Sequence, residues 1–128
     1  MTILDSNVWI AYFHERDALH HKAARLFEQS SAPFVVLEYV LAEVCTILTQ
    51  HAGKDSADLF IDFSMSNRDV RLLPVAPEVF STLVQFYRDN HNRSLSFVDM
   101  ALLWFSRSYP VVTFDRKLGN AIASTIEP

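Results

Sequence analysis

Four short, mainly apolar runs recur along the chain: Ile3-Leu4, Phe34-Val35-Val36-Leu37, Val70-Arg71-Leu72-Leu73 and Val111-Val112-Thr113. None shows the extended alternation of a strand with one wet face. Longer stretches with helical character separate them: Val8–Phe13, His21–Gln29, Glu38–His51, Ser56–Met65, Glu78–Arg88, Ser96–Arg107 and Asp115–Ala123. The punctuation agrees. Asp5-Ser6-Asn7 suits a helix cap, Gly53 a helix end, and Pro74 and Pro77 close the third run. Buried strands separated by helices predict an α/β sandwich around a parallel sheet, with right-handed crossovers. Ser124-Thr125-Ile126 leaves a fifth strand open.

The 128 residues amount to one domain, expected to span 1–128, and the 50% apolar content can bury a core without disulfides. Two glycines and five prolines exclude collagen-like and linker-rich classes. The apolar runs Val8–Phe13 and Met100–Phe105 are far shorter than the roughly 20 residues of a membrane span. No basic-then-apolar leader is evident in Met1-Thr2-Ile3-Leu4-Asp5, and Cys45 is the sole cysteine. A soluble cytoplasmic domain without membrane association is expected. Eleven Lys and Arg against fifteen Asp and Glu give a net charge of −4. That balance disfavours non-specific coating of nucleic acid but allows nucleic acid to be held locally through metal ions.

Open parallel sheets bind ligands at the carboxyl ends of their strands. Asp5 leaves the first strand and Asp115 the last, so both emerge on one edge, close together if those strands are neighbours. Each also has a plain role as a helix cap. Glu43 lies within the apolar stripe Val40, Val44 and Ile47, where an acid is either paired, snorkelling to solvent or functional. Glu38 sits in a first turn, where an acid is favoured anyway. Asp99 stands three residues after Ser96, at capping-box spacing, on a helix that is apolar nearly all round. Two carboxylates about 4 Å apart repel by roughly 4 kcal/mol at an effective dielectric of about 20. A cluster of such acids persists if it holds metal or shares protons, and an all-oxygen set suits Mg2+ or Mn2+.

Four segments, Asp5-Ser6-Asn7-Val8, Leu41-Ala42-Glu43-Val44, Ser96-Phe97-Val98-Asp99 and Thr113-Phe114-Asp115, resemble the motifs of PIN-domain nucleases. The resemblance is strongest to the VapC-type ribonuclease toxins of toxin–antitoxin pairs. It covers the whole chain in order. It implies a PIN-like three-layer α/β/α sandwich with a short, mostly parallel central sheet. It also implies a metal-dependent endoribonuclease using Mg2+ or Mn2+, with Asp5, Glu43, Asp99 and Asp115 as the acidic catalytic and metal-binding set. Asn7, Ser96 and Thr113 match supporting polar positions. The resemblance further implies a homodimer neutralised by a small antitoxin that covers the active-site groove. Met100 replaces a common alanine, and Glu38 replaces a common Ser or Thr.

Hydrolysis of a phosphodiester needs an activated water, charge neutralisation and a stabilised leaving oxygen, which divalent ions supply. Asp5 and Asp99 are the leading metal ligands, while Glu43 and Asp115 ligate or orient the water. Arg88, His91 and Arg93, with Asn90 and Asn92, form a polar loop before the Asp99 helix, and Arg116 and Lys117 follow Asp115. Of these, Arg88, Arg93, Arg116 and Lys117 are candidates for RNA phosphates, against a reading as ordinary surface charge. Cys45 reads as buried and inert, and His14, His20 and His21 as a solvated turn. Trp9, Tyr12, Phe13 and Phe27 read as core or dimer surface. Rival readings are a PIN-type nuclease for housekeeping RNA or for DNA, and a non-catalytic protein-binding module.

Overall fold

A computed structural model describes residues 1–30 and 33–126. The chain runs β1 (Thr2–Leu4), α1 (Ser6–Phe13), α2 (His20–Gln29), β2 (Phe34–Leu37), α3 (Glu38–Ala52), α4 (Lys54–Ser66) and β3 (Val70–Leu73). It continues through α5 (Pro77–Asp89), α6 (Phe97–Phe105), β4 (Val111–Val112) and α7 (Arg116–Ile126). The four strands form one sheet in the order β3-β2-β1-β4, and every pairing is parallel. The expected "mostly parallel" sheet is therefore parallel throughout.

All four residues of β2 are buried, and their side chains point alternately to opposite faces, so both faces of the sheet are covered. The covering helices fall into two packed groups. One comprises α1 to α4; in the other, α6 packs against α5, α7 and β4. This is the expected three-layer arrangement. Trp9 carries much of the first layer: it is fully buried, and its ring lies 5.3 Å from Phe27 and 5.7 Å from Phe60. Its indole N–H donates to the Leu4 carbonyl at 3.1 Å, which pins α1 to the end of β1. Trp9 is thus core. Tyr12, Phe13 and Phe27 pack around it.

Gly53 ends α3 and opens α4 with φ +97°, a region where only glycine is free of strain. Several boundaries shift by a residue or two, α1 opening at Ser6 and α4 at Lys54, and three of the differences have a visible cause. Helix α6 stops at Phe105 instead of reaching Arg107, because Ser106 to Ser108 tighten into turns with Ser108 N–H on Phe105 O at 3.0 Å. Thr113 leaves β4, and its hydroxyl serves the site described below. Ser124-Thr125-Ile126 belongs to α7 and makes no fifth strand; the Ser124 and Thr125 hydroxyls bond back to Asn120 and Ile122 carbonyls within the helix. The buried stripe of α3 is Val40, Val44 and Leu48, with Ile47 only half-buried at its edge. Among the described residues, no helix is long and apolar enough to cross a membrane.

If Trp9 joins α1 to the sheet, Trp9→Ala lowers unfolding free energy by about 3–5 kcal/mol. Equilibrium urea unfolding measures this, and a loss below about 1 kcal/mol contradicts the assignment.

Candidate active site

The site begins with strand register. Leu4 stands beside Val112, so the next residues, Asp5 and Thr113, leave adjacent strands together. The Asp5 N–H donates to the Val112 carbonyl at 2.9 Å, extending the ladder by one bond. Asp5 is 4% exposed. Its Oδ1 accepts from the Ser6 N–H at 2.7 Å, capping α1. Its Oδ2 accepts from the Thr113 hydroxyl at 2.7 Å and, at a longer 3.4 Å, from the Asn7 amide. Asn7 also donates to Thr113 Oγ1 at 3.2 Å, and its Oδ1 accepts from the Phe114 N–H at 3.0 Å. Asn7 and Thr113 thus fix the carboxylate of Asp5 and lock the end of β4 to the start of α1.

Asp99 is held by its own helix. Ser96 and Asp99 form a reciprocal capping box, with Asp99 Oδ2 accepting from Ser96 N–H at 3.0 Å and Ser96 Oγ from Asp99 N–H at 3.1 Å. Asp115 caps α7 by accepting from Leu118 N–H at 2.8 Å, and its own N–H donates to Thr113 Oγ1 at 3.0 Å. The capping expectation thus holds for all three aspartates. It uses one carboxylate oxygen of Asp99 and of Asp115; the other accepts no hydrogen bond among the described residues.

Glu43 is half-buried beside the Val40–Val44–Leu48 stripe. Burial pushes its pKa up, the Ser6 hydroxyl pulls it partly back, and the charges of Asp5 and Asp99 push it up further. Asp5 is raised too, first by burial and then by Asp99, against the lowering bonds from Thr113 and Ser6. The only ion pair among the described residues is Lys54–Asp58, so the expected alternative of a basic partner for Glu43 is not what holds it. The structure therefore brings Asp5, Glu43 and Asp99 within one another's fields. Asp115 is exposed and is linked to Asp5 through Thr113.

Among the described residues, no three of the His, Cys, Asp and Glu side chains converge tightly enough to hold one cation directly. The donor chemistry still fits a hydrated ion. Mg2+ keeps several waters and is bound through one or two carboxylates, and Asp5, Glu43 and Asp99 form no ion pair among the described residues.

The remaining candidates separate. Arg88, Asn90, His91, Asn92 and Arg93 line a surface cavity of about 500 Å³ that also touches Tyr87 and Leu95, next to the Ser96 cap. Arg116 and Lys117 are exposed in the first turn of α7. Glu38 accepts from Val75 N–H at 2.9 Å, a bond that ties α3 to the segment after β3. Met100 is buried in the core. Cys45 is half-buried, and burial raises its thiol pKa. His20 Nδ1 lies 2.8 Å from the Ala11 carbonyl, so this histidine is part of the α1–α2 packing and not merely a solvated turn.

Two residues escaped the sequence reading. Ser6, taken only as part of a cap, has its hydroxyl 3.4 Å from Asp5 Oδ1 and is the side chain that holds the Glu43 pKa down against burial. Lys22 lies over the Phe114 ring, its Nζ 4.8 Å from the centroid. No local pattern marks Lys22, because its partner is distant in sequence.

A family model for the PIN domain matches residues 2–122. The chain belongs to the PIN domain family. This PIN domain also matches a solved structure, VapC20 of Mycobacterium tuberculosis, described as a sarcin-ricin loop cleaving toxin. That match has a TM-score of 0.84 over 94% of this chain and 95% of the other, at 22% identity, and so concerns the fold. No protein of curated function matches the sequence. PIN-domain nucleases in general use divalent metal ions.

Two outcomes follow from this geometry. Thr113→Val removes a donor to Asp5 and an acceptor for Asn7 and Asp115, and costs about 1–3 kcal/mol in chemical denaturation; no loss contradicts the assigned bonds. The second concerns pH. Glu43 has a raised folded pKa, so its contribution to stability is intact at low pH and is lost as pH rises through and above the ordinary carboxylate range. Glu43→Gln therefore melts higher than wild type at pH 7 without metal, and the gap closes toward pH 4. A variant that melts lower at pH 7 would falsify the account of Glu43 as an uncompensated charge.

Proposed function

We propose that this PIN domain is a Mg2+- or Mn2+-dependent endoribonuclease that hydrolyses RNA phosphodiester bonds in the cytoplasm, as the toxin of a type II toxin–antitoxin pair. The observation that carries the reading is the group Asp5, Glu43 and Asp99. These carboxylates act on one another at the carboxyl edge of a parallel sheet, and none of them is in an ion pair among the described residues. Membership of the PIN family and likeness in fold to an RNA-cleaving toxin support it.

In this reading Asp5 and Asp99 would hold the ion, and the capping box leaves one Asp99 carboxylate oxygen without a hydrogen-bond partner among the described residues. The chemistry a divalent ion supplies there is Lewis acidity toward the phosphodiester and a lower pKa for the attacking water. Thr113 and Asn7 keep Asp5 in one rotamer, and Ser96 does the same for Asp99. Glu43 and Asp115 ligate or orient the attacking water. Arg88 and Arg93 on one side, with Arg116 and Lys117 on the other, meet RNA phosphates beyond the bond that is cut. A second copy of the chain and a small antitoxin complete the assembly, the antitoxin covering the acidic groove. Exposed Leu59, Met65, Phe80 and Tyr87 offer apolar surface of the kind such partners bury.

Induced expression in a bacterial host tests the proposal. Wild type should arrest growth and leave discrete RNA fragments, while Asp99→Asn, which keeps an acceptor for the Ser96 cap, should lower the cleavage rate at least about 100-fold. Arrest with intact RNA, or equal cleavage by both proteins, contradicts it.

A further inference from the structure

Lys22 stands on α2, in the layer opposite α6, yet its ammonium group reaches the turn between β4 and α7. The ring beneath it, Phe114, lies between Thr113, which binds Asp5, and Asp115. Phe114 is itself fixed, because its N–H donates to Asn7 Oδ1 at 3.0 Å. Lys22 pairs with no carboxylate: among the described residues the only ion pair is Lys54–Asp58. The positive charge of Lys22 is thus positioned by a ring face and left unspent.

The neighbouring cations point the same way. Arg116 and Lys117 occupy the first turn of α7, where the helix dipole disfavours positive charge, and neither has an acidic partner among the described residues. Three unpaired cations from two separate elements therefore border the β4 edge of the acids. An ion held only by the acids has no use for them; a polyanion passing that edge does.

We propose that Lys22, seated on Phe114, binds a backbone phosphate of the RNA strand where it passes the β4 edge of the acid group. This rests on the nuclease reading and adds a substrate contact to it. Lys22 makes no bond to the reacting atoms, so its loss weakens binding more than turnover.

The test uses the intact protein and a fluorescein-labelled oligouridylate in EDTA, with anisotropy followed across a KCl series. Lys22→Met keeps the apolar stem over the ring and removes the charge. It should weaken binding about three- to tenfold at low salt and reduce the salt slope by about 0.7, the value for one phosphate contact on a single strand. Lys22→Arg should restore both, and Lys54→Met, on α4, should change neither. Cleavage of total RNA in Mn2+ runs in parallel, with Lys22→Met raising KM and sparing kcat. Wild-type binding and cleavage with an unchanged slope for Lys22→Met overturns the Lys22 contact alone. Lower melting of Lys22→Met with unchanged binding also overturns it, since Lys22 is then only a clip for Phe114. A wild type that neither binds nor cuts RNA removes the nuclease reading, and this contact with it.

Discussion

The hydrogen bond from Thr113 to Asp5 joins the two central facts of this molecule. It closes the β1–β4 pairing at its carboxyl end, and it holds a buried carboxylate in one orientation. Asn7 braces both partners and carries the constraint to the Phe114 backbone. Because Asp5 is 4% exposed, each of these bonds has little water to compete with it. Everything else at the site is placed relative to this junction. Helix α1 starts from it, α7 follows it by way of Asp115, and Glu43 and Asp99 bear on it from α3 and α6.

The acids illustrate how one residue serves both fold and chemistry. Asp5, Asp99 and Asp115 each cap a helix, and each cap contributes about 1 kcal/mol with no ligand present. That contribution offsets part of the repulsion that gathering them creates. Glu43 has no such role in the fold. It stands at the edge of a buried stripe with its pKa raised by burial and by two like charges. The fold thus opposes the ionisation of both Asp5 and Glu43, and Glu43 has no cap to offset it, the pattern expected where activity and stability pull apart. In a member of the PIN family, a bound cation is the natural counterweight.

Much of this was legible in the sequence for identifiable reasons. Strands apolar on both faces require helices on both sides, so the layer order followed from β2 alone. Asp5-Ser6-Asn7 and Ser96-Phe97-Val98-Asp99 announced caps, the first placing Asp5 at the end of β1 and the second placing Asp99 in the first turn of α6. The limits are as physical. Ile47 and Leu48 are adjacent and both apolar, and only packing decides that Leu48 is buried and Ile47 marginal. In sequence Asp115 looks equivalent to Asp5, each leaving a strand and placed to cap a helix, yet Asp5 is buried and Asp115 proves exposed, linked to it through Thr113. Ser124-Thr125-Ile126 has strand propensity, and α7 overrides it. The contact between Lys22 and Phe114 joins residues far apart in the chain, which no local pattern encodes.

The central proposal is that Asp5, Glu43 and Asp99 form an acid group that binds a divalent cation. Thermal melting at neutral pH against Mn2+ concentration tests it without knowledge of any substrate, with an Asp5→Ala, Asp99→Ala double variant alongside. The account requires Mn2+ to raise the melting temperature of wild type and not of the double variant. At a hundredfold excess over Kd the stabilisation should be about 2.7 kcal/mol. Equal response of the two proteins, or none in wild type while the double variant simply melts lower, would mean that the aspartates are caps and nothing more.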